Sequence, residues 1–97
     1  MKAERLERAI ARDLATLFPS LKDPRVPLVI TVEQVKLSPD GRRARVLVST
    51  LVPEDNEAML IALNRASGYL QHELAERLSL RFTPKLSFHT NLFEVLG

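Results

Sequence analysis

The stretch ALNRASGYLQHELAERL, residues 62–78, constrains this chain more than any other. Leu63, Ala66, Leu70, Leu74 and Leu78 recur at three- and four-residue steps, the spacing that turns one face of an α-helix toward a core. Gly68 stands inside this stripe, next to Ser67. A glycine in a helix interior costs about 1 kcal/mol relative to alanine. Two readings account for it. One is a continuous helix that tolerates a glycine for close packing. The other is a pair of short helices joined by a bend at Ala66, Ser67 and Gly68. A bend exposes the amides that open the second helix, where an anion can dock. Arg65 then serves as a phosphate contact beside it, and Ser67 as a hydrogen-bond donor or cap. Replacing Gly68 by alanine separates the two: a straight helix gains stability, whereas a bend built on glycine-only dihedrals loses it.

The rest of the chain supplies what such a helix must pack against. Residues 2–18 read as an amphipathic helix, with Ala3, Leu6, Ile10, Leu14 and Leu17 on one side and Lys2, Arg5, Arg8 and Arg12 nearly opposite. Pro19 ends it. An ordered loop with Pro24 and Pro27 follows. VITVEQVKL alternates as a strand at Ile30 and Val32, then shifts phase to Val35 and Leu37, which predicts a bulge near Glu33 and Gln34. SPDG, residues 38–41, is a tight turn with Pro39 and Asp40 central and Gly41 closing it. RARVLVSTL is the returning strand, with Ala44, Val46 and Val48 on one face and Arg43, Arg45 and Leu47 on the other. A helix start follows Pro53, with Asp55 or Asn56 as N-cap. A last strand falls at residues 85–91, and LFEVLG is left unassigned. The sequence predicts one α+β domain spanning residues 1–97: three strands in a sheet, with helices on one face.

Composition narrows the function. The chain has 97 residues and no cysteine, so disulfides and thiolate metal sites are excluded. No segment reads as a signal peptide or a membrane span, and a cytoplasmic protein is expected. Net charge is +2, unevenly placed: ten Lys/Arg against six Asp/Glu through Val48, four against six after it. Ten of the fourteen basic residues are arginine, which can fork onto phosphate. His72 and His89 have no ligand spacing around them and read as structural. There is no phosphate-cradling glycine loop and no nucleophile elbow. An acylphosphatase-like enzyme suits the size and charge, but such folds open on a strand with an anion-binding loop, and this chain opens on a helix. No enzyme, cofactor, metal or small-molecule substrate is expected.

The order α-β-β-α-α-β resembles type II KH domains, which bind single-stranded nucleic acid and usually carry a GXXG loop between the central helices. Here that junction is Arg65-Ala66-Ser67-Gly68. In this it is similar to the bacterial ribosome-binding factor A family, KH-like proteins whose loop is replaced by a kink at Ala-X-Gly. DPRV at residues 23–26, the hairpin ITVEQVKLSPDGRRARVLVS and the block from Ala62 to Asn91 resemble the family as well. Gln71 stands where arginine is common, Asn91 where aspartate is common, and the usual extended C-terminal tail is nearly absent.

The resemblance implies a non-catalytic assembly factor. It would bind the immature small (30S) ribosomal subunit and its 16S rRNA, assist late maturation and RNA processing, and support growth in the cold. The expected RNA surface joins the kink (Arg65, Ser67, Gly68) to Lys36, Arg42, Arg43 and Arg45 of the hairpin, with Arg25 and Arg81 as further members. A monomer is expected. The rival reading is a basic protein-interaction module that docks an acidic partner.

Overall fold

The computed structural model describes residues 2–97, with the side chain of Lys2 outside that description. Helix α1 (Lys2–Leu17) runs into a single 3-10 turn, Phe18–Ser20, where Pro19 ends the α-helical bonding. Strands β1 (Ile30–Leu37) and β2 (Arg43–Thr50) form the hairpin. Helix α2 (Asn56–Arg65) and helix α3 (Ser67–Leu78) follow, then strand β3 (Lys85–His89) and a short helix α4 (Leu92–Leu96). This is the KH-like order expected from the sequence, with one added helix at the end.

The sheet is mixed, in the order β1-β2-β3. β1 and β2 pair antiparallel, and the register slips between Val32 and Gln34, so Glu33 is the extra residue of the predicted bulge. Its carboxylate accepts the Ser49 hydroxyl hydrogen at 2.6 Å. The SPDG turn closes with the Gly41 N–H donating to the Ser38 carbonyl at 2.9 Å, and Gly41 takes φ +73°, open to glycine without penalty. β2 and β3 pair parallel, Arg43 opposite Lys85 through Leu47 opposite His89.

The core forms where α1, α2 and α3 cover one face of the sheet. Ile10, Leu14 and Leu17 of α1 and Leu63, Leu70 and Leu74 of α2 and α3 meet Ala44, Val46, Val48, Leu86 and Phe88. Full burial of each large aliphatic side chain stabilises by roughly 1.5–3 kcal/mol. Phe18 packs edge-on against Phe88, with ring centroids 6.0 Å apart. Ala3, expected on the apolar side of α1, is exposed, because the helix has not yet reached the sheet. α4 lies on the sheet face turned away from these three helices. Its buried Val95 stands apart from the main core, and its backbone and side chains meet Arg45 and His89, which point away from that core.

Helix side chains accept from backbone N–H groups at both open edges of the sheet. At the β1 edge, the Leu37 N–H donates to the Glu7 carboxylate at 2.8 Å. At the β3 edge, the Leu86 N–H donates to Gln71 Oε1 and the Phe88 N–H to Asn64 Oδ1, each at 3.0 Å. Unpaired strand edges template aggregation, and these contacts occupy them.

Candidate nucleic-acid interface

The helical stripe is broken, and the break is at Ala66. Its φ of −85° and ψ of 2° depart from helical geometry. The Ala66 N–H still donates back to Ala62, and the Leu70 N–H reaches back to Ala66 at 2.9 Å. Ala66 is thus a single non-helical residue, the C-cap of α2 and the N-cap of α3 at once. The first N–H groups of α3, from Ser67 onward, have no acceptor within α3 itself. No side chain caps them: Ala66 holds the cap position, and no side-chain cap bond forms there. The expected cap role of Ser67 is therefore not met, since Ser67 is already the first residue of α3 and sits past the cap.

Gly68 does not make the bend. It lies within α3 in right-handed geometry, and Gly41 alone among the described glycines has positive φ. A Cβ placed on Gly68 would meet nothing within 4 Å. Both expectations about it thus change. The helix is interrupted, yet not through glycine-only dihedrals, and no close packing against the sheet requires the glycine. What its missing side chain leaves is exposed backbone at the start of α3, a place another molecule can approach closely.

Cations from two elements flank this break. Arg65 ends α2, and the loop after α1 brings Lys22 beside it: a recess there is lined by Leu21, Lys22, Asp23, Ala62, Arg65 and Ala66. The loop is held against the break by Ser20 Oγ and Tyr69 Oη at 3.2 Å. Arg25 is committed differently. Its guanidinium forks onto Asp23 at 3.0 and 2.6 Å, and its N–H also donates to Asp23 at 2.9 Å. Those Arg25 hydrogen bonds, with a smaller contribution from the charge of Arg65, hold the Asp23 carboxyl at a pKa of about 2. Arg25 therefore orders the DPRV loop, with its charge largely matched. Lys22 escaped the sequence reading because only the fold places it beside Arg65.

The hairpin cations gather elsewhere. Lys36 stands opposite Arg45 across β1 and β2, and Arg43 stands opposite Lys85 across β2 and β3. All four alternate with buried residues and so project from the face opposite α1, α2 and α3. Lys85 was missing from the sequence-based set; its parallel pairing with Arg43 is a tertiary fact that strand periodicity cannot give. Arg42 lies off this row, sharing a recess with Phe82 and Thr83 at the turn-proximal end, and the exposed Arg81 immediately precedes that pair. The predicted surface is thus divided between the helix break and the far face of the sheet.

The remaining polar groups are structural. His89 Nδ1 is 3.0 Å from Glu94 and its Nε2 is 2.8 Å from Ser87 Oγ, which ties α4 to β3. Asn91, where aspartate is common in the resembled family, caps α4 by accepting the Phe93 N–H at 2.9 Å, a role either residue fills. Gln71 serves the β3 edge as described. No group of acidic, histidine or cysteine side chains among the described residues could hold a metal ion.

Residues 2–92 match the family profile described as Ribosome-binding factor A. The chain belongs to the ribosome-binding factor A family. A family member from Nitrosococcus oceani is 47% identical over 89 residues, covering 90% of this chain and 69% of its own length. One from Acinetobacter baylyi is 37% identical, over 99% of this chain and 79% of its own. The crystal structure of ribosome-binding factor A from Thermus thermophilus superposes with a TM-score of 0.79 at 39% identity, covering 90% of this chain and 93% of that one. A Thermus thermophilus homology model fitted into a cryo-EM map of a 30S complex of that factor superposes at 0.74, with 40% identity and 87% and 89% coverage.

Proposed function

We propose that this protein is a non-catalytic assembly factor that binds the immature small ribosomal subunit through the phosphate backbone of its 16S rRNA. It acts in the cytoplasm as a monomer, and its described residues work as one RNA-binding unit. Late maturation, RNA processing and support of growth in the cold are the roles this family membership suggests. The observation that carries the reading is the broken helix: the exposed start of α3 at Gly68, flanked by Lys22 and Arg65, in a chain whose Thermus relative has been fitted, as a homology model, into a map of a 30S complex. Backbone donors and a helix start bind phosphate without reading bases. The few exposed aromatics, Tyr69 among them, offer little platform for stacking, so folded RNA shape sets specificity.

Co-sedimentation tests this. The protein should pellet with purified small subunits at about 50 mM salt and be released progressively toward about 200 mM, as phosphate contacts release counterions. A protein that stays in the supernatant at low salt, or that captures an acidic protein in place of ribosomal RNA, would refute the reading in favour of an interaction module.

A further inference from the structure

The far face of the sheet holds a second charged feature that the helix break does not use. Lys36 and Arg45 are register partners, and so are Arg43 and Lys85. Like charges directly opposite on neighbouring strands are destabilising. Two such pairs lie side by side, and among the described residues none of the four cations forms an ion pair with a side-chain carboxylate. The nearby carboxylates are engaged: Glu94 with His89, and Asp40 with the Ser38 hydroxyl and the Arg42 N–H. The row is also concave. A recess of about 260 Å³ is bounded by Lys36, Arg43 and Arg45 along one side and by the end of α4 on the other, where Arg45 donates to the Gly97 backbone oxygen at 3.3 Å. A second recess of about 210 Å³ continues it through Arg43, Arg45, Lys85 and Ser87.

We infer that this face is a second phosphate-binding surface, so that the protein engages two RNA segments at once, one at the helix break and one across Lys36, Arg43, Arg45 and Lys85. The inference rests on the RNA-binding reading above and adds the division of labour. Adjacent cations of like charge, of which only Arg45 has an acceptor described above, cost stability in the free protein, and a run of phosphates compensates them when bound. The two sites lie in different layers, the break in the helix layer and the cation row on the opposite side of the sheet. The sheet and the core beneath its helices stand between them, so a stiff RNA stem lying on one side does not touch the other. A factor of this shape bridges two RNA elements and holds them in a fixed relation.

The test uses a short RNA hairpin, whose stem is too stiff to wrap the β3 edge, at low salt. Native mass spectrometry should show two hairpins per protein at saturation. Donor- and acceptor-labelled hairpins mixed with the protein should show energy transfer. The pair Arg43→Gln and Lys85→Gln should lower the stoichiometry to one and abolish the transfer. The pair Lys22→Gln and Arg65→Gln should do the same, through loss of the other site. All four residues are exposed, and thermal unfolding checks that each double variant stays folded. Saturation of the wild type by one hairpin, with both double variants weakening that single event, would overturn the two-surface inference and leave RNA binding intact. Failure of any hairpin to bind the wild type at low salt would instead remove the RNA-binding reading, and the bridge with it.

Discussion

Two residues stand where their own conformational preferences argue against them. Gly68 occupies right-handed helix with open space where its side chain would be, and Ser79 ends α3 at φ 51°, in the left-handed region that favours glycine. Ser79→Gly should raise stability by about 0.5–1 kcal/mol, read from urea unfolding, because a left-handed residue with a Cβ is strained. Gly68→Ala should also raise it, by about 0.5 kcal/mol, while weakening association with small subunits. That opposition of stability and binding is the signature of backbone kept bare for a ligand, and a variant gaining in both would point to an incidental glycine. The Asp23 clasp gives a pH-dependent residue. Its folded pKa of about 2 lies below the ordinary 3.8, so its stabilisation of the DPRV loop is complete above that ordinary value. It is lost as pH falls through about 2. NMR titration should place the Asp23 carboxyl at about 2 and show the Arg25 N–H, which donates to that carboxyl, shifting with it; Arg25→Ala should return the titration toward 3.8.

At the scale of elements, α2 and α3 each present one amide side chain to the edge of β3, Asn64 to Phe88 and Gln71 to Leu86. Asn64→Ala should destabilise by about 1–3 kcal/mol in the same unfolding assay, since it leaves a part-buried N–H without its partner. A loss confined to a few tenths would mean water replaces the side chain. Sequence reasoning located nearly all of these elements because their signals are local. The bulge showed as a phase shift between Val32 and Val35, and the turn as SPDG. Three things escaped it. Of the two expected N-cap positions, Asp55 and Asn56, Asp55 takes the place, yet in right-handed geometry at the end of a 3-10 turn, Pro53–Asp55, and with no side-chain cap bond. α4 is five residues long, too short for periodicity to register, and it is fixed by Val95 packing on the sheet and Asn91 capping. The edge contacts depend on which strand is outermost, which no local pattern encodes.

At the scale of the molecule, the grouping of the candidate site residues was legible only in part. Arg65, Ser67 and Gly68 do sit together at an opened helix, but Arg25 is matched by Asp23, and the hairpin cations face away from the core. Lys22 and Lys85 join the two groups only through the fold. Charge composition reported an excess of arginine without its geometry, because a strand's alternation gives a face and not its neighbours. The divided surface leads to a distinct salt response. Log affinity for small subunits against log salt should fall with a slope that each removed phosphate contact lessens by about 1, for Lys85→Gln as for Arg65→Gln. An unchanged slope for Lys85→Gln would remove the sheet face from the interface. The account turns most directly on the opening residues of α3 after the break at Ala66. Titrating the isotope-labelled protein with a small-subunit RNA fragment and following backbone N–H resonances should move Ser67, Gly68 and Tyr69 first and furthest, reversed by salt. Resonances that stay fixed at those three positions while others shift would contradict it.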